Sequence, residues 1–196
     1  MYTPEITTSS VLLSIAPSEN GRVSPRFIHR STLAVVLAAG ASSRMKVPKA
    51  LLRLPDGRTL LQAHLDALAS LEVRVVQGCW PLPVPAVHNP DWARNGMVES
   101  LALALRGCSQ ERVLVVPVDA APVHPDDLEA LLASEAPSAL SWEGRPGHPV
   151  LVPRELVRPP TPLNQLSFRL VPACSAQVLV DLDTPPDWEA FSREPG

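Results

Sequence analysis

The chain of 196 residues has few cysteines and aromatic residues, and its charges nearly balance. Its three cysteines, Cys79, Cys108 and Cys174, are odd in number and widely spaced, which argues against a disulfide framework or a cysteine-rich zinc site. This usage fits a reducing, cytoplasmic location. The net charge of −3 argues against a sequence-independent hold on nucleic acid or on an anionic membrane. We therefore expect neither as a partner, and any anion must be bound locally.

The sequence also lacks long apolar runs. None approaches the ~20 residues that span a membrane, and no basic region followed by a hydrophobic core indicates a signal peptide. Hydrophobic residues make up 45% of the chain, enough for the core of one α/β domain, which we place at residues 32–196. Residues 1–31 carry mainly small and polar residues and are predicted to form a tail, either disordered or a short strand on a sheet edge.

Two glycine-rich nucleotide-binding motifs are missing. After Gly40, Lys46 stands at the position of the Walker lysine, but no Gly precedes it and no Ser or Thr follows it. The dinucleotide fingerprint needs glycines where this chain has Ser42 and Met45. These absences exclude a P-loop kinase and a NAD-dependent dehydrogenase.

What the sequence does contain is a buried strand that leads into a small-residue loop, within Leu33–Leu52. The strand is a short continuous apolar run, as in a parallel sheet. The loop Ala38–Ser43 offers backbone N–H groups without bulky side chains, and Arg44 and Lys49 add a planar fork and a compact charge. Either cation alone could be a solvated surface residue. Together with the strand and the loop they favour binding of a triphosphate.

Beyond this loop, strands and helices alternate. Thr59 is expected to cap a helix whose apolar stripe includes His64, which we interpret as a packing residue without a catalytic role. The proline-rich stretch from Trp80 to Pro90 is predicted to be a loop or a frayed edge strand. Further strands are predicted at Val73–Val76, Arg112–Val118 and Val178–Val180, and further helices from Met97 to Arg106, near Pro125 and at the C-terminal end.

Acidic residues follow two of the predicted strands. Asp119 follows Arg112–Val118, and ligands of open parallel sheets bind beyond the carboxyl ends of the strands, so it faces the same crevice as the loop. We interpret Asp119 as a metal ligand; the alternative is a helix cap. Strand alternation places Asp181 and Asp183 on one face, and Thr184 or Asp187 can cap the terminal helix.

The loop segment resembles the signature L-A-[AG]-G-x-[SG]-x-R-M-[G]-x-x-K of the MobA-like nucleotidyltransferases, with Lys46 where the family usually has Gly. This family includes the enzymes that attach CMP or GMP to molybdopterin. Asp181–Trp188 resembles the family's late D-x-D-T-P-E-D motif, with Pro186 in place of Glu. The resemblance covers about residues 33–192. It implies an α/β fold with a three-layer, mostly parallel Rossmann-like sheet of the nucleotide-diphospho-sugar transferase type.

The resemblance implies a Mg²⁺-dependent nucleotidyltransferase that moves NMP from an NTP to a phosphorylated acceptor and releases pyrophosphate. Leu-Ala-Ala-Gly at residues 37–40 is more typical of the branch that takes CTP than of the branch that takes GTP. Molybdopterin is the main acceptor candidate, and a molybdoenzyme or its chaperone is an implied partner. The alternatives are a sugar-1-phosphate nucleotidyltransferase and a non-catalytic nucleotide- or cofactor-binding module, for which Lys46 and the short stretch 157–178 would be signs of decay.

The same resemblance assigns roles to individual residues. Arg44, Lys49 and Asp119 are implied to be catalytic, and Asp119 and Asp183 to hold Mg²⁺. Gly144–Val150 is similar to a Gly-His-Pro segment of the branch nearest the cytidylyltransferases. It places His148 near the acceptor, with a turn histidine as the alternative and Asp181 as a second acceptor candidate. The nucleotide is expected to contact Leu37, Ala38, Ala39, Gly40, Ala41, Ser42, Ser43 and, from a segment before the third helix, Ser100.

Overall fold

The computed structural model describes residues 31–193, so almost all of the tail expected at residues 1–31 lies outside the described residues. The described strands are β1 Thr32–Ala38, β2 Glu72–Gln77, β3 Val87–His88, β4 Arg112–Pro117, β5 Ser138–Trp142, β6 Arg145–Pro153 and β7 Arg169–Pro172. The α-helices are α1 Leu60–Ala67, α2 Met97–Ala104, α3 Pro125–Ala133 and α4 Pro185–Arg193. Short 3-10 helices span Lys49–Leu51, Arg154–Leu156, Leu163–Gln165 and Ala176–Leu179.

The seven strands form one sheet in the order β3-β2-β1-β4-β6-β5-β7. Strand β6 is antiparallel to both of its neighbours, and every other pairing is parallel. This confirms the predicted α/β fold with a mostly parallel sheet. Because Leu37 of β1 lies opposite Pro117 of β4, the two central strands end at the same edge of the sheet.

Helices cover the sheet on two sides, which confirms the three layers. Ala34 and Val36 of β1 face a cluster that includes residues of α1 and α3, such as Leu61 and Leu131. The alternate residues of β1, Leu33 and Val35, face a second cluster that includes residues of α2. Both faces of β1 are therefore buried, which explains its unbroken apolar sequence.

Two predicted helix caps are present. The Thr59 hydroxyl accepts a hydrogen bond from the backbone N–H of Gln62 at 3.2 Å, and the Gln62 side chain accepts from the Thr59 backbone N–H at 2.8 Å. This is a capping box at the start of α1. At the start of α4, Asp187 accepts from the Thr184 N–H at 2.8 Å. The Asp187 carboxylate is thus committed to the helix end.

The prediction of a strand at Val178–Val180 is wrong. Ala176–Leu179 is a 3-10 helix. Ser175 caps its N-terminal end, where the Ser175 hydroxyl accepts a hydrogen bond from the Gln177 N–H. Strand-like pairing comes later, as a single antiparallel bridge between Ala120 and Asp181. A short apolar run does not by itself separate a strand from a buried helical turn.

Strand β6 contains His148, which therefore lies in a strand and not in a turn. The turn comes earlier, at Glu143 and Gly144, which both have positive φ, as expected for a tight two-residue hairpin. The hairpin joins β5 to β6 and makes β6 the antiparallel strand of the sheet.

No α-helix among residues 31–193 is long and apolar enough to cross a membrane.

Candidate active site

A cavity of about 250 Å³ opens beyond the carboxyl ends of β1 and β4. We call it the polar cleft. Most of the predicted phosphate-binding residues line it, together with both acids that were assigned to the metal. Its walls are formed by Leu37, Ala38, Gly40, Ser42, Ser43, Arg44, Pro48, Lys49, Ala50, Trp80, Leu82, Val118, Asp119 and Asp183.

The loop that forms one wall is folded on itself by two residues with left-handed backbone conformation. Ser42 has φ 52° and Lys46 has φ 58°, and the Lys46 N–H donates to the Ser42 carbonyl at 2.9 Å. The Lys49 N–H donates to the Ser42 hydroxyl at 3.2 Å. A left-handed residue other than Gly costs roughly 1–2 kcal/mol. The loop thus keeps a glycine-type conformation at Lys46, although the glycine itself is missing.

The segment after β2 packs against this loop. The Trp80 indole N–H donates to the Ala41 carbonyl at 3.0 Å, and the Cys79 N–H donates to the Ala39 carbonyl at 3.2 Å. A Cβ atom on Gly78 would overlap the same Ala39 carbonyl, so only glycine allows this approach. The sequence patterns did not identify Trp80 as a residue that supports the loop. The one sequence feature that could have indicated this role is its position in a proline-rich segment shortly after a strand.

Lys49 joins the two acids at the centre of the polar cleft. Its Nζ lies 2.9 Å from Oδ2 of Asp119 and 2.6 Å from Oδ1 of Asp183. The guanidinium of Arg44 binds the other oxygen of Asp183 at 2.8 Å. Lys49 is well shielded, with 11% of its side chain exposed, whereas 66% of Arg44 is exposed. Residues far apart in the sequence therefore form one charged cluster of two cations and two anions.

The contacts within this charged cluster shift the pKa values of Lys49 and Asp183. Burial alone would lower the pKa of Lys49, but hydrogen bonds to Asp183 and Asp119 outweigh it, so the pKa is raised above its ordinary value. The hydrogen bond from Lys49, with Arg44 alongside, holds the pKa of the Asp183 carboxyl below its usual range. At neutral pH, Lys49 is therefore a cation and Asp183 an anion.

The backbone around Asp119 is fixed from two sides. The Leu182 N–H donates to the Asp119 carbonyl at 2.7 Å. The Nε2 atom of His64 lies 3.3 Å from the Val118 carbonyl and 3.1 Å from the Ala120 carbonyl. Burial lowers the pKa of His64 to about 4, so the ring is neutral and donates its Nε2 proton to these oxygens. His64 is buried, as expected from its helix stripe, and it also holds the turn that carries Asp119.

A second cavity, of about 980 Å³, lies beside β4, β5 and β6. We call it the apolar cavity. Asp181 and His148, the two predicted acceptor residues, both line it. Burial raises the pKa of Asp181 and lowers the pKa of His148. The buried Nδ1 atom of His148 has no hydrogen-bond partner within residues 31–193.

Other predicted contacts lie elsewhere. The Ser100 side chain is buried and its hydroxyl accepts from the Asn89 amide at 3.0 Å, and Ser100 lines neither cavity. Ala39 and Ala41 do not line the polar cleft, although their carbonyls anchor the loop. Nucleotide contact by Ser100, Ala39 and Ala41 stays a prediction.

The donor set suits a hard divalent cation. One carboxylate oxygen of Asp119 and one of Asp183 converge on the single Nζ of Lys49, so a metal ion at that position would meet two carboxylate ligands. Mg²⁺ typically takes one or two protein carboxylates together with substrate phosphates.

Comparison with known proteins identifies the family. The family model described as the MobA-like NTP transferase domain matches residues 34–167, which include the loop and Asp119. The chain belongs to the MobA-like NTP transferase family. Membership makes it a nucleotidyltransferase, of a family that binds nucleoside triphosphates and usually uses divalent metals. The search of curated proteins found no match.

Solved structures agree with this family. A nucleotidyl transferase from Methanothermobacter has a TM-score of 0.66 at 24% identity, over 82% of this chain and 95% of that one. A Mycobacterium tuberculosis protein solved with manganese has a TM-score of 0.59 at 20% identity, over 84% and 99%. Molybdopterin-guanine dinucleotide biosynthesis protein A from Archaeoglobus fulgidus has a TM-score of 0.55 at 17% identity, over 82% and 96%. At these identities the likeness shows the fold, which is the expected nucleotide-diphospho-sugar transferase type.

Proposed function

We propose that this MobA-like transferase uses Mg²⁺ and CTP, with GTP as the second choice, and transfers CMP to the phosphate of molybdopterin with release of pyrophosphate. The observation that carries the proposal is the cluster in which Lys49 bridges Asp119 and Asp183 beside the small-residue loop. The Leu-Ala-Ala-Gly sequence at residues 37–40 supports CTP. The acceptor is proposed from the likeness in the loop and in the late acidic motif.

In the proposed reaction, a terminal phosphate oxygen of the acceptor attacks the α-phosphorus of the NTP in line. A bond forms between that oxygen and the α-phosphorus, and the bond from the α-phosphorus to the bridging oxygen breaks, so pyrophosphate leaves with the electron pair. The acceptor phosphate is already anionic near neutral pH, so the protein needs no general base. Its task is positioning and charge stabilisation.

The loop residues supply most of this stabilisation. Backbone N–H groups of the loop and the guanidinium of Arg44, which is exposed at the mouth of the cleft, would bind oxygens of the triphosphate. Asp119 and Asp183 would hold Mg²⁺, which neutralises charge on the phosphate oxygens when it is bound.

Lys49 would have to change partners in this state. In the described structure its ammonium lies between the two carboxylates, where a divalent cation would repel it. We propose that Lys49 turns from the acids to the triphosphate when metal and nucleotide bind. The Lys49 cation would then stabilise the departing pyrophosphate.

Thermal unfolding with CTP, GTP, ATP or UTP, each with and without Mg²⁺, tests the nucleotide. A ligand at about 100 times its Kd adds about 2.7 kcal/mol of stability. We expect the largest shift in Tm with CTP and Mg²⁺ together. A larger shift with GTP would transfer the proposal to guanylyl transfer, and no shift with any nucleotide would overturn it in favour of a non-catalytic module.

The metal assignment is tested with Asp183→Asn and its neighbour Asp187→Asn. Titration of Mn²⁺ in the presence of CTP, followed by electron paramagnetic resonance, should show at least tenfold weaker metal binding for Asp183→Asn. Asp187→Asn should bind Mn²⁺ normally, because the Asp187 carboxylate serves the cap of α4. Equal metal affinity for Asp183→Asn and the unmodified protein would contradict the assignment.

A further inference from the structure

We propose that His124, Asp126 and Cys174 form a second metal site, which takes a thiophilic divalent cation such as Zn²⁺. One ligand atom from each residue lies within 4.8 Å of the other two. Among residues 31–193, this is the one group of three or more histidine, cysteine or acidic side chains gathered in this way. None of the three residues lines the polar cleft or the apolar cavity. The site is therefore separate from the proposed reaction and does not depend on it.

The three residues come from two segments that the fold brings together. His124 is the cap residue before α3, and Asp126 lies in the first turn of that helix. Cys174 follows β7, the strand at one edge of the sheet. Helix α3 packs against β5, β6 and β7, which brings its first turn beside the segment after β7. Because no short sequence motif joins the three residues, cysteine count and spacing did not indicate this site.

The backbone around Cys174 is fixed on both sides, so the thiol is already in place. The carboxylate of Asp127, which is 2% exposed, accepts a hydrogen bond from the Cys174 N–H at 2.8 Å. The preceding residue, Ala173, donates its N–H to the Ser141 carbonyl at 2.9 Å. Polar groups behind the ligands orient them in metal sites, and a preorganised backbone lowers the entropy cost of binding. Asp127 is thus a positioning residue for this site.

The imidazole and the carboxylate of the other two residues are free to adjust. Nδ1 of His124 accepts a hydrogen bond from the Asp126 N–H at 3.3 Å and lies 3.9 Å from Oδ2 of Asp126. The two side chains are 58% and 82% exposed, so they can rotate toward an ion without displacing packed neighbours. A tetrahedral Zn²⁺ at about 2.0–2.3 Å from its ligands spaces them roughly 3.3–3.6 Å apart. Rotation of exposed side chains can close the remaining gap.

The donor set decides the class of cation. A thiolate, an imidazole and a carboxylate are ligands that Zn²⁺ takes in proteins, whereas Mg²⁺ takes oxygen ligands. Cys174 would bind as the thiolate, so its S–H proton leaves to solvent as the bond between sulfur and metal forms. Three protein ligands leave the fourth tetrahedral position to a water molecule. The triad and the two carboxylates of the polar cleft therefore select different metals.

The surroundings of Cys174 favour a bound cation over a reactive thiol. A hydrogen bond with Asp127 and the nearby negative charge of Asp126 and Asp127 raise the pKa of the Cys174 thiol. Reactive cysteines have a lowered pKa in electropositive surroundings instead. The same two acids offset the partial positive charge at the start of α3, which would otherwise oppose a cation there.

An ion at this site would tie together the two segments that carry the acids of the polar cleft. His124 follows shortly after Asp119 in the chain, and Cys174 comes shortly before Asp183. The role that we propose for the ion is structural. An ion that binds the folded chain and not the unfolded chain stabilises the fold by mass action.

Titration of the full chain with Co²⁺, a spectroscopic substitute for Zn²⁺, tests the site. Excess Mg²⁺ is present throughout to occupy the polar cleft. We expect about one Co²⁺ per chain with a charge-transfer band from thiolate to cobalt, and displacement of that Co²⁺ by Zn²⁺ but not by further Mg²⁺. Absence of the band, or displacement by Mg²⁺, would overturn the proposal.

Variants at two cysteines locate the bound ion. Cys174→Ser should abolish the band, and Zn²⁺ should raise the Tm of the unmodified protein but not that of Cys174→Ser. The matched control is Cys108→Ser, which should keep the band, because Cys108 Sγ lies beside the guanidinium of Arg154 at 4.0 Å. A band that survives in Cys174→Ser would place the ion on another cysteine and overturn the proposal.

A pair of acidic residues tests the carboxylate ligand. Asp126→Asn should weaken Co²⁺ binding by at least about tenfold, because one of three protein ligands loses its charge. Glu135→Gln, at a similarly exposed acid beyond the other end of α3, should bind Co²⁺ like the unmodified protein. Equal Co²⁺ affinity for Asp126→Asn and the unmodified protein would contradict the three-residue site.

Discussion

The polar cleft and the apolar cavity share no lining residue and are built in different ways. The polar cleft is small, charged and made mainly from one continuous segment, residues 37–50, closed by Asp119 and Asp183. The apolar cavity is about four times larger by volume, and its lining comes from segments between residues 96 and 181. Charge dominates in the first and hydrocarbon in the second.

This difference leads us to expect different roles for the two cavities. The polar cleft has the cations and acids that phosphoryl chemistry needs, whichever acceptor is used. The apolar cavity is lined mainly by hydrocarbon, and most of its wall lies in other segments than those that carry the charged cluster. We therefore expect changes in the polar cleft to affect turnover, and changes around the apolar cavity to affect folding or acceptor affinity.

The largest expected effect is on the lysine of the polar cleft. Lys49→Ala should lower kcat/KM for the NTP by about 10³-fold, or about 4 kcal/mol, because the leaving pyrophosphate loses its main cation. The measurement is pyrophosphate release under initial-rate conditions.

The matched control for this variant is Lys46→Ala. Lys46 and Lys49 are the only two lysines in the chain, and Lys46 is exposed and three residues away. Lys46→Ala should retain the rate within about threefold, a small fraction of the effect expected for the leaving-group cation. If both variants lost activity equally, general loop charge and not the placement of Lys49 would explain the effect.

The same difference explains what could be predicted from sequence. The loop, Arg44, Lys49 and the strand before them lie close together in the chain, and their pattern singled out residues that the structure brings together in the polar cleft. The apolar cavity could not be predicted, because its wall depends on long-range pairing of β5, β6 and β7 and on the antiparallel direction of β6. The prediction of a strand at Val178–Val180 was wrong for a related reason. A short apolar run can be buried as a strand or as a helical turn, and the tertiary packing around it decides which.

The next prediction compares one glycine from each cavity. A Cβ atom on Gly147 would overlap the carbonyl of Val178, and both residues line the apolar cavity. Gly147→Ala should lower the free energy of unfolding by about 3 kcal/mol, because backbone must move to admit the methyl group. At Gly40, in the polar cleft, a Cβ atom would meet no atom within 4 Å beyond the adjacent residues of the chain.

Gly40→Ala should therefore leave the free energy of unfolding within about 0.5 kcal/mol of the unmodified value. It should weaken CTP binding, because the methyl group takes space in the cleft. Urea denaturation of both variants, with CTP titration of Gly40→Ala, makes the comparison. A stable Gly147→Ala protein would mean that the wall of the apolar cavity is deformable.

His64, which contacts the backbone on both sides of Asp119, should make the free energy of unfolding depend on pH. The folded-state pKa of His64 is about 4, below the ordinary value of 6.5, so the unfolded state binds a proton first as the pH falls. The contribution of His64 to stability is fully present above pH 6.5. It is lost progressively between pH 6.5 and pH 4, by about 3 kcal/mol in total.

The difference between the unmodified protein and His64→Gln isolates this effect. The free energy of unfolding should fall more steeply with decreasing pH for the unmodified protein than for His64→Gln, as measured by urea denaturation from pH 7 to pH 4.5. His88→Gln, at an exposed histidine of β3, should follow the unmodified protein. Parallel curves for His64→Gln and the unmodified protein would show that the buried ring does not control acid stability.

The smallest expected effect concerns the residue that departs from the family pattern. Lys46 has a left-handed backbone with φ 58°, so Lys46→Gly should relieve roughly 1 kcal/mol of backbone strain. Part of this gain is offset by the greater freedom of glycine in the unfolded chain, which leaves a net stabilisation of about 0.5 kcal/mol. Turnover should stay within about threefold, since the loop already has the glycine-type conformation. A rise of tenfold or more in turnover would instead show that Lys46 hinders binding of the triphosphate. Lys46→Ala removes the charged side chain but keeps the strained backbone. It would therefore separate obstruction by the side chain from strain in the loop.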